Sequence, residues 1–492
     1  MKISLIEPKS PDYHVYSHLA FPRLGLPILG TILHEAGHDV DVYVEDLRSI
    51  GTTEALEVLD SDLVGISCTS ATAPRGYAMA RLLRLKGVPV VFGGVHPTFM
   101  PDEPLKHADY VIRGEAEEAM PRLVEALENG GDLADVPNLQ YRADGETIAN
   151  EKRGLPMGLD DIPIPDLSLI HGYEDMRIVP LMTTRGCPHN CTFCCVSPMF
   201  GCRYRMKSVD RVIEELRRVG KKRNVFFCDD NFTVSPTRTK ELLRRMISED
   251  VVPRRWYAQV RAEIHSDPEM LDLMRRTNCR RVFVGFESIS QETLDSYGKH
   301  QTLEDIETAI QGFHEHNIPV HGMFMFGADD DDQSVFQRTA NFALDKRLDT
   351  VQFLILTPVP GSELFRKMDA EGRVFTYDWS LYDGHHVVFE PARMSPLELQ
   401  LGTLRANRRF YSVNSVVRSL SCFRFGTALL RHAGRRILRG WRQAKGRFMQ
   451  SLWQWQKGHG SFPRHFSLRR HLERVRAFRT ILRRPNVAVK PE

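Results

Sequence analysis

Four of the nine cysteines, Cys187, Cys191, Cys194 and Cys195, fall within nine residues of a 492-residue chain. A disulfide framework spreads its cysteines over a small domain, so this crowding points to a metal site in a reducing compartment. The run TTRGCPHNCTFCC sets Cys187, Cys191 and Cys194 at x3 and x2 spacing on one loop. Three thiolates wrap one corner of a cubic iron–sulfur cluster and leave one of its four irons without a protein ligand. Structural zinc is the alternative. It needs a fourth ligand, for which Cys202 or His189 is a candidate, whereas Cys195 adjoins Cys194 and would have to turn back on itself. The open cluster is favoured because the loop directly follows a strand.

Around this loop the chain alternates strands and helices. Residues 1–135 read as β runs (KISLIEP, HDVDVYVED, DLVGISCTS, VPVVFGGVHPTF) separated by amphipathic helices. That pattern requires a doubly wound parallel sheet, with ligands at the carboxyl ends of its strands. Residues 136–175, rich in Pro and Asp from Gly154 to Leu169, read as an extended linker. Residues 176–375 repeat six βα units, an incomplete (β/α)6 barrel whose chemistry belongs at its strand ends. The remainder, 376–492, reads as short helices rich in Arg and aromatics. From Arg405 on, 22 Lys and Arg face two acids, a local charge of +20 that leaves −17 on the first 404 residues. No apolar run reaches the roughly 18 residues that span a bilayer, and Met1 to Pro8 lacks a signal-peptide core. The expectation is a cytoplasmic protein.

With Phe193 before its third cysteine, the loop resembles the CxxxCxxC hallmark of the radical S-adenosylmethionine superfamily. The resemblance implies a [4Fe-4S] cluster on Cys187, Cys191 and Cys194. Its open iron chelates S-adenosylmethionine, which one electron from a flavodoxin- or ferredoxin-type reductant cleaves to a 5′-deoxyadenosyl radical. It further implies an acidic partner for the methionine amine at Asp229 or Asp230 and ribose contacts at Glu287 and Ser288. Adenine contacts fall at Gly327, Pro358 and Gly361, and Arg261 is a candidate partner for a carboxylate. Taken singly, each of these also fits a solvated loop or a buried ion pair; only the three cysteines are specific.

The first domain resembles the cobalamin-binding domain that precedes the barrel in the B12-dependent branch, on GLPILGTILHEAGHDV, GISCTS, GGVHPTF and VIRGEAEE. The DxHxxG motif is absent, so no histidine is required below the corrin. Implied corrin and tail contacts are Ser67, Thr69 and Ser70, then Gly93, Gly94 and His96, then Gly114 and Glu115. The stretch Asp345 to Phe410 resembles the subfamily of hopanoid methylases and anaerobic porphyrin cyclases, with His385 and His386 either near substrate or a structural pair.

The implied activity is a cobalamin-dependent methyl transfer to an unactivated carbon of a lipid-like or other secondary-metabolite substrate. The alternatives are a B12-dependent cyclisation or oxidative rearrangement without methyl transfer, and a non-catalytic iron–sulfur or nucleic-acid-binding protein. A methylthiolating tRNA enzyme needs a second cysteine trio before the barrel, where this chain has only Cys68. HEAGH at His34 to His38 spells a zinc-protease string, but Gly37 ends the helix between its ligands. ADDDD at Ala328 to Asp332 lacks EF-hand spacing and reads as a strand-end loop. The basic region, with Trp441, Trp453 and Trp455, is read first as a contact with an anionic membrane surface at the inner face, then as a lid, and last as a nucleic-acid surface.

Overall fold

The computed structural model describes residues 1–10, 21–151, 156–201, 203–444, 446–458 and 462, the side chains of 441–444 excepted. Cys202, the first residues of the Gly154 stretch, the Trp441 side chain and the tail from 463 lie outside it.

β1 (Lys2–Glu7), β2 (Asp39–Val44), β3 (Leu63–Ser67), β4 (Val90–Gly93) and β5 (Tyr110–Ile112) form a parallel sheet in the order β2-β1-β3-β4-β5. Parallel strands are covered on both faces, and successive residues of the central strands β1 and β3 are buried on either side of the sheet, Ile3 to Glu7 and Leu63 to Ile66. One face is packed by Leu26, Leu33, Met120, Leu123 and Val124 of the helices Gly25–Glu35 and Ala119–Asn129. The other is packed by Tyr77, Met79 and Leu83 of the helix Ala73–Leu85. The order reverses direction between β1 and β3, and a ligand crevice opens at such a switch point.

The sheet does not stop at 135. β6 (Leu139–Ala143) and β7 (Glu146–Ala149) add an antiparallel hairpin beside β5, making seven strands. Part of the expected linker is therefore sheet. Asp144 at φ 52° and Gly145 at φ 84° make the left-handed two-residue turn that Asp-Gly favours, a signal present in the sequence. Beyond the hairpin the chain is extended, as Pro and Asp require, and His171 and Ile170 return to β2.

The second sheet consists of β8 (Ile178–Leu181), then β11 (Asn224–Phe227), β12 (Arg255–Val260), β13 (Cys279–Glu287), β14 (Val320–Phe326) and β15 (Thr350–Ile355), all parallel and paired in that order. A short antiparallel ribbon, β9 (Thr184–Arg185) with β10 (Arg205–Met206), closes the base of the cysteine loop. The helices Val209–Val219, Pro236–Ser248 and Leu303–Glu315 each bury an i, i+3, i+4, i+7 stripe; in the first these are Val209, Val212, Ile213 and Leu216, behind a Ser208 cap on Arg211 N–H at 3.2 Å.

After β15 the segment to Pro391 is mostly irregular and crosses to the first domain. Trp379 is buried, donates Nε1–H to Glu103 at 2.7 Å and lies 5.0 Å from the His96 ring. Four helices follow, Pro396–Phe410, Val413–Ser421, Phe425–Ala444 and Gly446–Gln456. They are not all short: Phe425–Ala444 has 20 residues.

Because Trp379 fills an interdomain site with one hydrogen bond, Trp379→Ala is expected to cost about 3 kcal/mol and lower the melting temperature by several degrees. An unchanged melting curve would place that indole outside the core.

Candidate active site

The carboxyl ends of the two sheets face each other across one cleft of about 470 Å³. Ser67, Gly93, Gly94, Gly114 and Glu115 reach it from the first domain, and Met182, Cys228, Asp230 and Gln259 from the second. A slot continues from the cleft beneath the first sheet, between Leu5, Gly65 and Val91 and the helix residues Leu29 and Met120. Gly94 sits at φ 94°, where a Cβ would stand 2.8 Å from the Cys68 carbonyl and 2.9 Å from Ser67 Oγ. Only glycine fits, and it leaves bare backbone facing the cleft. A ledge without side chains above an apolar slot suits a flat macrocycle with a pendant tail, as cobalamin has.

An ion cluster locks the two domains at the mouth of this cleft. Arg185 donates to Glu115 at 2.5 Å and to Glu117 at 2.8 Å, and Arg205 also donates to Glu115. Arg185 and Glu117 are both buried. Burial acts against the Arg185 charge, but the two glutamates hold its pKa above the ordinary arginine value. Glu115 therefore acts here as an interdomain bridge. The sequence reading did not single out Arg185, although it directly precedes the cysteine loop.

The cysteine loop leaves β9 through Gly186 at φ 87°, where a Cβ would strike the Arg203 carbonyl at 2.5 Å. Its turns are tied internally: Ser197 Oγ donates to the carbonyls of His189 at 2.7 Å and Cys187 at 3.2 Å, and Cys194 N–H donates to the Cys191 carbonyl at 3.0 Å. Phe193 packs edge-on against Tyr297 at 5.2 Å, and Thr192 N–H donates to the Tyr297 carbonyl at 3.1 Å. Burial raises the Cys187 thiol and pushes Cys194 up to about 12, so a cationic iron core is what would hold these groups as thiolates. Cys195 directly precedes the helix Val196–Phe200 and makes no side-chain hydrogen bond to its first turn. Among the described residues no three His, Cys, Asp or Glu side chains gather around a single ion; a cube takes one thiolate per iron, so its ligands stand apart.

The two adjacent aspartates separate. Asp229 is fully buried and accepts from Thr183 N–H at 2.7 Å, Thr183 Oγ at 2.6 Å and Thr184 N–H at 2.9 Å, so it braces the strand ends. Asp230 lines the cleft; burial first, then Asp229, raise its carboxyl to about 6, while the Gly186 N–H opposes this. Arg261 is engaged by Glu263 through Nε at 2.8 Å and by the Lys299 carbonyl, so its carboxylate partner lies within the protein. Glu287 is a non-glycine residue at φ 63°, and its carboxylate pairs with Lys299 at 2.9 Å. The register with β14 shifts at this point, so the left-handed residue breaks the regular ladder at the strand end. Ser288 Oγ accepts from Ser290 N–H at 3.1 Å. Gly327, at φ 110°, and Ala328 donate their N–H groups to Asp331, which turns the acidic run back on its own strand end. Pro358 is buried after β15, and Gly361 at φ 92° lies where a Cβ would meet the Phe99 ring of the first domain at 2.5 Å.

Other sequence-selected residues lie elsewhere. His96 is fully buried, hydrogen-bonded to Ser70 Oγ at 3.2 Å and Tyr77 OH at 3.0 Å. Both side chains thus belong to the polar network beneath Trp379, because the βα turns aim them behind the ledge. Thr69 N–H is capped by Thr72 Oγ at 3.1 Å. His386 pairs with Asp383 at 3.0 Å and packs on Phe448, and the His385 carbonyl accepts from Gln400. His34 is exposed, and His38 contacts the chain amino group at 3.3 Å.

His321 on β14 is buried, its Nδ1 lies 2.7 Å from Thr350 Oγ and its ring lies 5.0 Å from Phe283. Desolvation lowers its pKa from 6.5 to about 3. The folded state thus disfavours the proton, so His321 contributes stability above pH 6.5 that is lost as pH falls toward 3. His321→Gln is expected to flatten that limb of a pH-dependent denaturation series. A second expectation concerns the loop: Cys187→Ala, Cys191→Ala and Cys194→Ala each abolish bound iron and inorganic sulfide, whereas Cys195→Ala retains both.

Comparison with known proteins agrees with this arrangement. The B12 binding domain matches residues 16–124 and the Radical SAM superfamily matches residues 181–343. Bacteriochlorophyllide d C-12(1)-methyltransferase of Chlorobaculum tepidum is 30% identical over 85% of this chain and 88% of its own length. Anaerobic magnesium-protoporphyrin IX monomethyl ester cyclase of Rubrivivax gelatinosus is 29% identical (76% and 70%), and hopanoid C-3 methylase of Methylococcus capsulatus is 25% identical (92% and 87%). In fold, the chain resembles the radical S-adenosylmethionine methyltransferase TsrM of Kitasatospora setae, solved with cobalamin and a [4Fe-4S] cluster, at TM-score 0.67 and 18% identity over 90% of this chain and 100% of that one. The two-sheet cleft, the glycine ledge and the three-cysteine loop therefore belong to a cobalamin-dependent radical S-adenosylmethionine enzyme, in the family that contains these methyltransferases and cyclases.

Proposed function

We propose that the enzyme transfers a methyl group to an unactivated carbon of an apolar small molecule. The observation that carries this reading is the single cleft onto which the glycine ledge and the strand ends behind the cysteine loop both open. When bound, the cofactors supply a methyl group on the cobalamin side and a radical-generating sulfonium on the cluster side.

The chain's own residues then do four things. Cys187, Cys191 and Cys194 hold the cluster. Gly93, Gly94 and Gly114 let the macrocycle lie on backbone, with Ser67 at the entrance to the slot. Asp230 after β11, with Glu287 and Ser288 at the end of β13, accepts from the amino group and ribose hydroxyls of S-adenosylmethionine, while Gly327 and Pro358 offer backbone to adenine. Met182, Met199 and Phe200 exclude water from the junction and present an apolar surface to substrate.

The reading includes a flavodoxin- or ferredoxin-type protein as electron donor and a cytoplasmic enzyme held peripherally at the inner membrane face. We further propose residues 1–151, 176–375 and 376–492 as the working units. Similarity to the porphyrin cyclase supports a second reading, cyclisation without methyl transfer.

Anaerobic reconstitution with iron, sulfide and hydroxocobalamin, followed by product analysis, separates the two. Methyl transfer predicts both 5′-deoxyadenosine and S-adenosylhomocysteine; 5′-deoxyadenosine alone would discard it in favour of the second reading.

A further inference from the structure

The helix Val413–Ser421 is arranged inside out. Its buried residues are Ser415 and Ser419, which face the helix Phe425–Ala444, while Val413, Val417 and Leu420 form an i, i+4, i+7 stripe on the outside. A helix that served only to cover the barrel would bury the apolar stripe and expose the serines. The cause lies in Arg431, which is buried, donates to Ser415 Oγ at 2.6 Å and to the Leu348 carbonyl at 2.7 Å, and so selects a polar face. The stripe continues through the elbow between the two helices: Phe423 is 82% exposed, Phe425 63% and Leu429 71%. Phe423 is also held at φ 57°, a left-handed conformation that an aromatic residue adopts only at a cost. The Phe423 and Phe425 rings meet edge-on at 6.4 Å, so six exposed apolar side chains gather on one helix and the elbow that follows it.

Its surroundings are cationic. Residues 405–458 contain 13 Lys and Arg and no Asp or Glu. Some of these charges are neutralised by the barrel: Arg424 pairs with Asp349 at 2.6 Å and Arg418 approaches Asp345 at 3.9 Å. Arg436 and Arg439, on the exposed side of the second helix, have no ion pair among the described residues.

We propose that this elbow is the membrane-docking surface of the enzyme. Phe423, Phe425, Leu429 and the Val413 stripe enter the headgroup–acyl boundary of an anionic bilayer, and Arg436 and Arg439 meet its phosphates. A second copy of the chain would bring the same positive charge against itself, and nucleic acid offers nothing to the aliphatic side chains; an anionic lipid interface satisfies both. The inference rests on the peripheral placement proposed above and is independent of methyl transfer. Of the tryptophans expected at such a surface from sequence, Trp455 packs on Phe375 at 4.5 Å and belongs with the buried Phe448 and Leu452 to the inner face of the helix Gly446–Gln456, Trp453 is 48% exposed, and the Trp441 side chain lies outside the described residues. The elbow is fastened through Asp349 and Leu348, at the amino-terminal end of β15, so it lies at the end of the barrel opposite the cleft. It anchors the enzyme without blocking the site.

The test is co-sedimentation of the full-length, reconstituted protein with phosphatidylcholine vesicles and with vesicles also containing phosphatidylglycerol. Wild type should bind the anionic vesicles, less so as salt rises, and leave the neutral ones. Phe423→Ser/Phe425→Ser/Leu429→Ser should weaken that binding at least about tenfold with iron content and turnover of S-adenosylmethionine unchanged. Phe423→Gly should weaken it while raising the melting temperature, since glycine relieves the left-handed strain; a merely structural role predicts no loss of binding. Undiminished vesicle binding by the triple variant overturns the elbow but keeps the peripheral placement. Failure of the folded wild type to bind anionic vesicles overturns both. A dimer, or bound RNA, lost only in the triple variant would reassign the surface to that partner.

Discussion

The ion cluster of Arg185 and Arg205 with Glu115 and Glu117 fixes how the two sheets meet. Opposed charges this buried are costly to desolvate, and their mutual hydrogen bonds are what offset the cost; either partner alone would be an uncompensated charge. Removing either partner would leave a buried charge without its counterion, which costs several kcal/mol, about 3 to 5. The way the sheets meet turns two separate strand-end faces toward a common cleft, and Arg185 adjoins the first residue of the cysteine loop, so the register between domains and the placement of the loop are the same constraint.

Seen from this constraint, the rest of the molecule divides into what lines the cleft and what supports it. Glycine at 94 and 186 removes side chains where backbone must come close. Asp229 accepts three hydrogen bonds from Thr183 and Thr184, while its neighbour Asp230 faces the cleft. The segment through Trp379 reaches back from beyond the barrel to close the first domain. Further along, the basic helices bind the opposite end of the barrel, where buried Arg431 sets which side of its partner helix faces out.

Much of this was legible from residue order. The βα alternation gave two parallel sheets, and cysteine spacing gave the cluster loop, because each depends on neighbours in the chain. The β6–β7 hairpin was also legible, in its Asp-Gly turn, but was obscured by the proline-rich stretch that follows. Other features were not. Asp229 and Asp230 are indistinguishable as letters; the direction of each side chain is set by a turn nearly 50 residues earlier. His96 and Ser70 sit in turns that resemble ligand contacts, yet they bond each other, and His96 lies against the indole of Trp379, far along the chain.

The sequence alone determined the chemistry the chain can host: three thiolates on one short bend, backbone-only ledges and strand-end placement are local properties, encoded within a few residues. Tertiary structure decided which acids face the cleft, that Glu115 bridges the domains, and which side of an amphipathic helix meets solvent. Those outcomes depend on burial and pairing between residues far apart in the chain, and free energy of that kind exists only once the distant partner has arrived.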